Sequence, residues 1–188
     1  MEPGGRQPAP GRLAQVQEFV NSVDFEDGED QLADPEALRA WLAGRGLLDP
    51  GERLGAADLQ RATEVREALR ALLHANAGEP LDAEAVATLD RAARNARLLV
   101  RFAGDGRASL EPDAAGVEQA LARLLAIVYG AMEEGTWSRL KACRNDECRW
   151  AFYDHSKNRS GRWCTMESCG NAMKARAYRR RRSAPERR

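Results

Sequence analysis

The chain has 188 residues, 43% of them hydrophobic, and its 29 basic and 29 acidic residues give a net charge of zero. This length allows one or two small domains. The longest apolar stretch, residues 121–132, is too short to span a bilayer and contains Arg123, and the Gly- and Pro-rich start lacks a secretory pattern. We therefore expect no membrane association and a cytoplasmic location.

The two ends of the chain carry opposite charge. Residues 138–188 contain 15 Lys and Arg against 5 Asp and Glu, whereas residues 1–137 contain 14 against 24. A neutral total made of two opposite parts suggests two modules with different partners. The basic part indicates a polyanion such as nucleic acid as its partner.

Hydrophobic periodicity predicts a helical domain over residues 12–135, preceded by a disordered leader at residues 1–11. Asp34, followed by a proline, and Asp82 lie where helix N-caps are expected, and Val86 is predicted to face inward from the helix that Asp82 begins. The predicted helices cover about residues 13–23, 35–43, 56–76, 82–96 and 113–134.

The period of the pattern changes in the middle of the chain. Leu98, Val100 and Phe102 alternate with other residues, and the Gly-Asp-Gly step at residues 104–106 supplies turn chemistry. This pattern predicts a β-hairpin at about residues 97–111.

All four cysteines lie in the basic part of the chain, in two close pairs separated by 15 residues: Cys143, Cys148, Cys164 and Cys169. Four thiolates at this spacing can converge on one tetrahedral Zn²⁺, and thiolates select zinc or iron over harder ions. The segment has few large apolar side chains, so a structural zinc would stabilise its fold. Two disulfides or four separate buried thiols are the alternatives, and His155 is an alternative ligand. Four thiolate ligands leave no open coordination position, so we expect no enzyme.

These patterns together predict an α+β fold, mainly α with a small β-hairpin. A helical N-terminal domain is followed by a small four-cysteine zinc-finger domain over residues 138–182, which ends in a basic helix. Residues 183–188 form a basic tail. The sign of the charge changes near residues 135–138, which marks the predicted boundary.

The basic helix is predicted from about Asn171 to Arg182, directly after Cys169. Arginine and lysine bind phosphate and read guanine edges, so we predict that this helix contacts double-stranded DNA. Asn171 is either an adenine reader or a helix cap. A solvated basic end and an acidic protein partner are the alternatives. The candidate nucleic-acid-binding residues are Asn171, Lys174, Arg176, Arg179, Arg180, Arg181 and Arg182.

The cysteines lie within a longer pattern that includes Trp150, Phe152, Asp154, Ser156, Asn158, Arg162, Trp163, Met166, Gly170, Asn171 and Lys174. This pattern resembles the CGNR zinc finger, the C-terminal finger of bacterial proteins whose N-terminal part is called the ABATE domain. The arginine that gives the finger its name is Ala172 here, so any nucleic-acid contact made by that arginine would be absent or moved to Arg176. Residues 19–22 and the segment from Asp34 to Leu48 resemble the ABATE domain more faintly.

The resemblance implies a transcription regulator responding to stress, in which the finger contacts DNA and the N-terminal domain senses a signal or a partner. An RNA-binding protein that uses the same helix and a zinc-scaffolded protein-interaction module are the alternatives. Asn21, Trp41 and the strand at residues 98–102 are candidates to line a ligand pocket, with packing in the core as the alternative for each.

Overall fold

The computed structural model describes residues 7–183, and for Ala177 and residues 180–183 it describes the backbone alone. Residues 1–6 of the predicted leader and 184–188 of the predicted tail lie outside the described residues. Helices and two small antiparallel hairpins confirm the α+β class. The elements are α1 (Leu13–Val20), α2 (Pro35–Gly44), α3 (Ala56–Asn76), α4 (Ala83–Asn95), β1 (Leu98–Phe102), β2 (Ala108–Pro112), α5 (Gly116–Glu133), β3 (Leu140–Ala142), β4 (Ala151–Tyr153) and α6 (Asn171–Ser183).

Local chemistry explains where the helices begin. The Asp34 carboxylate accepts a hydrogen bond from Ala37 N at 2.8 Å, and Asp82 caps α4 in the same way. The inward position predicted for Val86 is wrong, because this side chain is 43% exposed. The buried residues of α4 are Ala85 and Leu89, which lie about 100° and 60° from Val86 around the helix axis, both on the same side.

The predicted hairpin is present as β1 and β2, with Val100 opposite Leu110. A second hairpin, which the sequence analysis did not predict, pairs β3 with β4 and places Lys141 opposite Phe152. All residues of both short strands are buried. A strand buried on both faces has no alternation of polar and apolar residues, which is the signal that predicts a strand.

The second hairpin shares a hydrophobic core with the helices. Leu140, Ala142 and Ala151 belong to the same buried cluster as Leu69 and Leu73 of α3. At the end of α3, the Asn76 side chain donates hydrogen bonds to the carbonyls of Trp137 and Leu140 at 3.0 and 2.9 Å. The strands that lead into the cysteine segment are therefore part of the helical domain's core.

Buried polar groups add to this attachment. The Asn21 amide donates to Ala151 O at 2.9 Å and accepts from Ala151 N at 2.7 Å. Arg70, fully buried on α3, donates to the carbonyls of Val20 and Arg149. The contacts with Ala151 and Arg149 join the helical domain to the backbone of the C-terminal segment, and together they fix the position of β4.

Two of the predicted pocket residues lie in the core. Asn21 is 5% exposed and satisfied by Ala151, and Trp41 is 6% exposed, with its ring 5.6 Å from that of Phe19. Trp41 Nε1 donates to Gln31 Oε1 at 3.2 Å. Ala9, inside the predicted leader, is also buried and donates its N–H to Gln17 Oε1 at 2.7 Å. In the described range, no helix has the length and apolar character needed to cross a bilayer.

Candidate metal centre and nucleic-acid interface

The structure brings the four cysteines together. Their Sγ atoms all lie within 4.8 Å of one another, and all four residues are buried and free of disulfides. A tetrahedral centre with metal–sulfur bonds of about 2.3 Å requires sulfur–sulfur distances of about 3.8 Å. Cys148 Sγ and Cys164 Sγ are 3.6 Å apart, so the group fits a thiolate-bound metal.

Two backbone turns position the four thiols. The turn after β3 carries Cys143 and Cys148, and the Cys148 N–H donates to Asn145 O at 2.9 Å. The second pair follows a long loop, and Cys169 lies in a π-helical turn, Met166–Gly170, that leads directly into α6. Thr165 caps this turn by accepting a hydrogen bond from Ser168 N. The basic helix thus begins at the cluster.

Aromatic side chains and one amide surround the thiols. Phe152 is buried against the cluster, and Trp150 and Trp163 pack on it from partly exposed positions. The buried Asn145 amide donates to Cys169 Sγ at 3.4 Å. Sequence reasoning missed Asn145, because its partner lies 24 residues further along the chain.

The thiols interact strongly with one another. The pKa of Cys143 is lowered because Cys148 and then Cys164 donate hydrogen bonds to its thiolate. The pKa of Cys148 is raised because the same hydrogen bond to Cys143 holds its proton. A bound metal cation would displace the remaining protons, because metal ligation requires thiolates.

His155, the alternative ligand, does not join the group. Its ring is exposed, pairs edge-on with Tyr153 at 4.8 Å, and hydrogen bonds with the Gln7 carbonyl through Nε2 at 3.2 Å. Among the described residues, the group that could hold a metal consists of the four cysteines alone.

The candidate nucleic-acid-binding residues have different surroundings. Lys174 and Arg179 are exposed on α6, whereas Arg176 pairs with Glu147 and donates to Asn145 Oδ1 at 3.3 Å. Asn171 is exposed, and its amide donates to the Glu167 carbonyl at 3.3 Å. The side chains of three further candidates lie outside the described part of the chain: Arg180, Arg181 and Arg182.

The third pocket candidate, strand β1, lines a groove. Val100 and Leu110 of the hairpin face Ala126 and Tyr129 of α5 across an open space of about 480 Å³. Val100 is 58% exposed. The groove is therefore a concave surface on the helical domain that is apolar in part and also includes Arg12, Glu133 and Glu134, far in sequence from the cysteines.

The fold and the cysteine group define a class: a helical domain joined to a small metal-binding finger. Residues 13–133 match the model of the ABATE family, whose description reads "Putative stress-induced transcription regulator". The chain belongs to this family. Residues 139–182 match the CGNR zinc finger, so both resemblances are confirmed. No curated protein matches the chain.

Proposed function

We propose that this protein is a DNA-binding transcription regulator in which a zinc-closed finger contacts double-stranded DNA through α6. The observation that carries the proposal is the direct continuity between the cysteine group and the basic helix: Cys169 lies one residue before Gly170, where the π-helical turn ends, and α6 begins at the next residue, Asn171. Fixing the cluster therefore fixes the direction of the helix. Family membership supports the same function.

Zinc is the metal that the donor set favours. Four thiolates in tetrahedral positions suit zinc or iron, and the small core of this segment requires the stabilisation that a structural zinc provides. When bound, zinc would offset half of the four thiolate charges and link the two turns that carry Cys143 and Cys169. With all four positions filled, we propose no enzymatic role. Reduced thiols are needed, which suits the cytoplasm.

The surroundings of Arg176 indicate which face of α6 is available. Its ion pair with Glu147 turns this side of the helix toward the finger. Lys174, two residues earlier and about 160° around the helix axis, lies on the opposite side, where Tyr178 is 56% exposed. We therefore propose that DNA meets the exposed surface of the helix that runs from Lys174 past Tyr178 to Arg179, and that Arg176 orients the helix.

For the helical domain we propose reception of a signal or a partner. The open groove between the first hairpin and α5, with Val100 and Tyr129 on its walls, offers a partly apolar surface for this purpose. Because β4 is attached to Asn21 and Arg70, a change in the helical domain would reach the finger through buried contacts.

The test is a selection of the zinc-loaded protein against random duplex DNA at near-physiological salt, with RNA competitor present. We expect an enriched motif that disappears when zinc is chelated. The K174Q/R179Q variant should weaken binding and reduce the salt slope by about 0.9 for each phosphate that the protein no longer neutralises. Absence of salt-dependent duplex binding would overturn the proposal, and preference for the RNA competitor would replace DNA with RNA.

A further inference from the structure

Resting on the proposed function, we infer that a second element of the finger, the basic loop (residues 155–162), binds the phosphate backbone of the same nucleic acid. The loop connects β4 to Cys164 and has the sequence HSKNRSGR. It carries Lys157, Arg159 and Arg162, and no acidic residue occurs from position 155 to position 166. None of the three basic residues was among the sequence-predicted contacts.

The three cations of the basic loop face solvent. Lys157, Arg159 and Arg162 are all exposed, and none forms an ion pair within residues 7–183. Other basic residues of the finger do have acidic partners, and these pairs are Lys141 with Asp154, Arg144 with Glu79, Arg149 with Glu67, and Arg176 with Glu147. The loop is therefore a local excess of positive charge that the protein leaves without compensation.

The backbone of the basic loop is held from beneath by a buried ion pair. Lys141 Nζ and Asp154 Oδ2 are 2.9 Å apart, and both side chains are at most 4% exposed. Asp154 accepts from the N–H groups of Ser156 and Gly161 at 3.0 and 2.6 Å. Lys141 also donates to the carbonyls of Arg159 and Gly161. Both ends of the loop are thus bound to the same two charges.

A buried ion pair is weak evidence for stability, because desolvation of two charges offsets most of their attraction. Here the pair specifies one conformation of the loop, and Arg139 adds hydrogen bonds to the carbonyls of Asp154 and Ser156, both at 3.0 Å. Burial raises the pKa of Asp154, but the hydrogen bonds from Ser156, Lys141 and Gly161 outweigh this effect and lower it. The carboxylate therefore stays charged and holds the loop.

A fixed backbone with uncompensated cations fits phosphate, because phosphate contacts set the register and orientation of a protein on a duplex. The loop also borders a groove of about 320 Å³ that extends past Trp163 to Met166. Met166 begins the π-helical turn before α6 and packs on Gly170 at its end, since a Cβ atom on Gly170 would lie 2.8 Å from Met166 Sδ. The groove thus runs from the basic loop to the π-helical turn that leads into the basic helix.

The experiment measures binding of a labelled random-sequence duplex by fluorescence anisotropy between 50 and 200 mM salt for four zinc-loaded proteins. These are the wild type, the loop variant K157Q/R159Q/R162Q, the helix variant K174Q/R179Q and the control R53Q/R91Q/R107Q. The control removes the same charge as the loop variant from exposed positions of the helical domain. Zinc content and thermal midpoint are measured for each protein, and both should stay unchanged because the substituted side chains are exposed.

We expect the salt slope of the loop variant to fall by about 0.9 for each phosphate that its three cations neutralise in the wild type, hence by about two to three in total, while the control keeps the wild-type slope. If the loop variant binds like the control while the helix variant is weakened, the inference fails and the proposed function stands. If the wild type shows no salt-dependent binding, the proposed function fails and the inference fails with it.

Discussion

Replacement of Asn21 by alanine should destabilise the whole protein, because this side chain joins α1 to the backbone of β4. Its amide exchanges two hydrogen bonds with Ala151, at 2.9 and 2.7 Å, in a site where Asn21 is 5% exposed. After substitution the Ala151 carbonyl keeps a hydrogen bond from Gln17 Nε2 at 3.3 Å, whereas its N–H loses the Asn21 acceptor. An unsatisfied buried donor costs about 1–3 kcal/mol, and the second missing hydrogen bond adds about 1 kcal/mol.

We therefore expect Asn21→Ala to lower the free energy of unfolding by about 2–4 kcal/mol. Equilibrium urea unfolding, followed by far-UV circular dichroism with zinc in excess, measures this change. Zinc release to a chromophoric chelator should also become faster, because β3 and β4 lead into the turn that carries Cys143 and Cys148. Asn21→Asp should be destabilised as well, since it replaces the amide donor with an oxygen that faces the Ala151 carbonyl.

The control is Asn95→Ala at an exposed position of α4, which should stay within about 0.5 kcal/mol of the wild type. A comparably small effect of Asn21→Ala would refute the reasoning. It would mean that the attachment of β4 depends on apolar packing alone, and that the finger can separate from α1 at little cost.

Three further predictions concern the finger. Gly161→Ala should lower the free energy of unfolding by about 1–3 kcal/mol in urea titrations, because its Cβ would lie 2.8 Å from Asp154 Oδ2; a neutral effect would show that the loop can shift. The folded-state pKa of Asp154 lies below its ordinary value of 3.8. The charged Asp154 side chain therefore contributes to the free energy of unfolding above pH 3.8, and this contribution decreases as the pH falls from 3.8 toward the folded-state pKa. The difference in free energy of unfolding between the wild type and Asp154→Asn should begin to shrink as the pH is lowered from about 5 to 3, and a constant difference would contradict this. Chelation of zinc should unfold the finger and the helical domain in a single transition. The fluorescence emission wavelengths of Trp41, deep in the helical domain, and of Trp150, next to the cysteines, should then shift together. Two separate transitions would indicate independent modules.

Sequence reasoning succeeded where the information is local. The acidic caps at Asp34 and Asp82 and the Gly-Asp-Gly turn of the first hairpin each depend on residues within a few positions of one another. The paired spacing of the cysteines also restricts the possible geometry, and the structure brings all four thiols together, as that spacing led us to expect.

Contacts between distant residues could not be predicted in this way. The strands β3 and β4 have three residues each and are fully buried, so their sequences show no alternation of polar and apolar residues. Asn21 and Ala151 are 130 positions apart, and Arg176 pairs with a glutamate 29 positions earlier. A single sequence gives no indication of which polar residue meets which. The buried ion pair of Lys141 and Asp154 beneath the basic loop was missed for the same reason, because Lys141 lies in β3, whose sequence does not indicate a strand.

The attachment of the finger to the helical core has an electrostatic consequence. The residues whose side chains the structure describes carry a net charge of −10 within 7–137 and +6 within 138–179, and Asn76 and Arg70 link the two parts, so these opposite charges keep a fixed arrangement. In the field of a polyanion this separation produces a torque that turns the basic end forward before contact. A flexibly tethered finger would not rotate the acidic body with it. The shared core thus lets the charges of the whole molecule orient the basic end during diffusion, in addition to any affinity after docking.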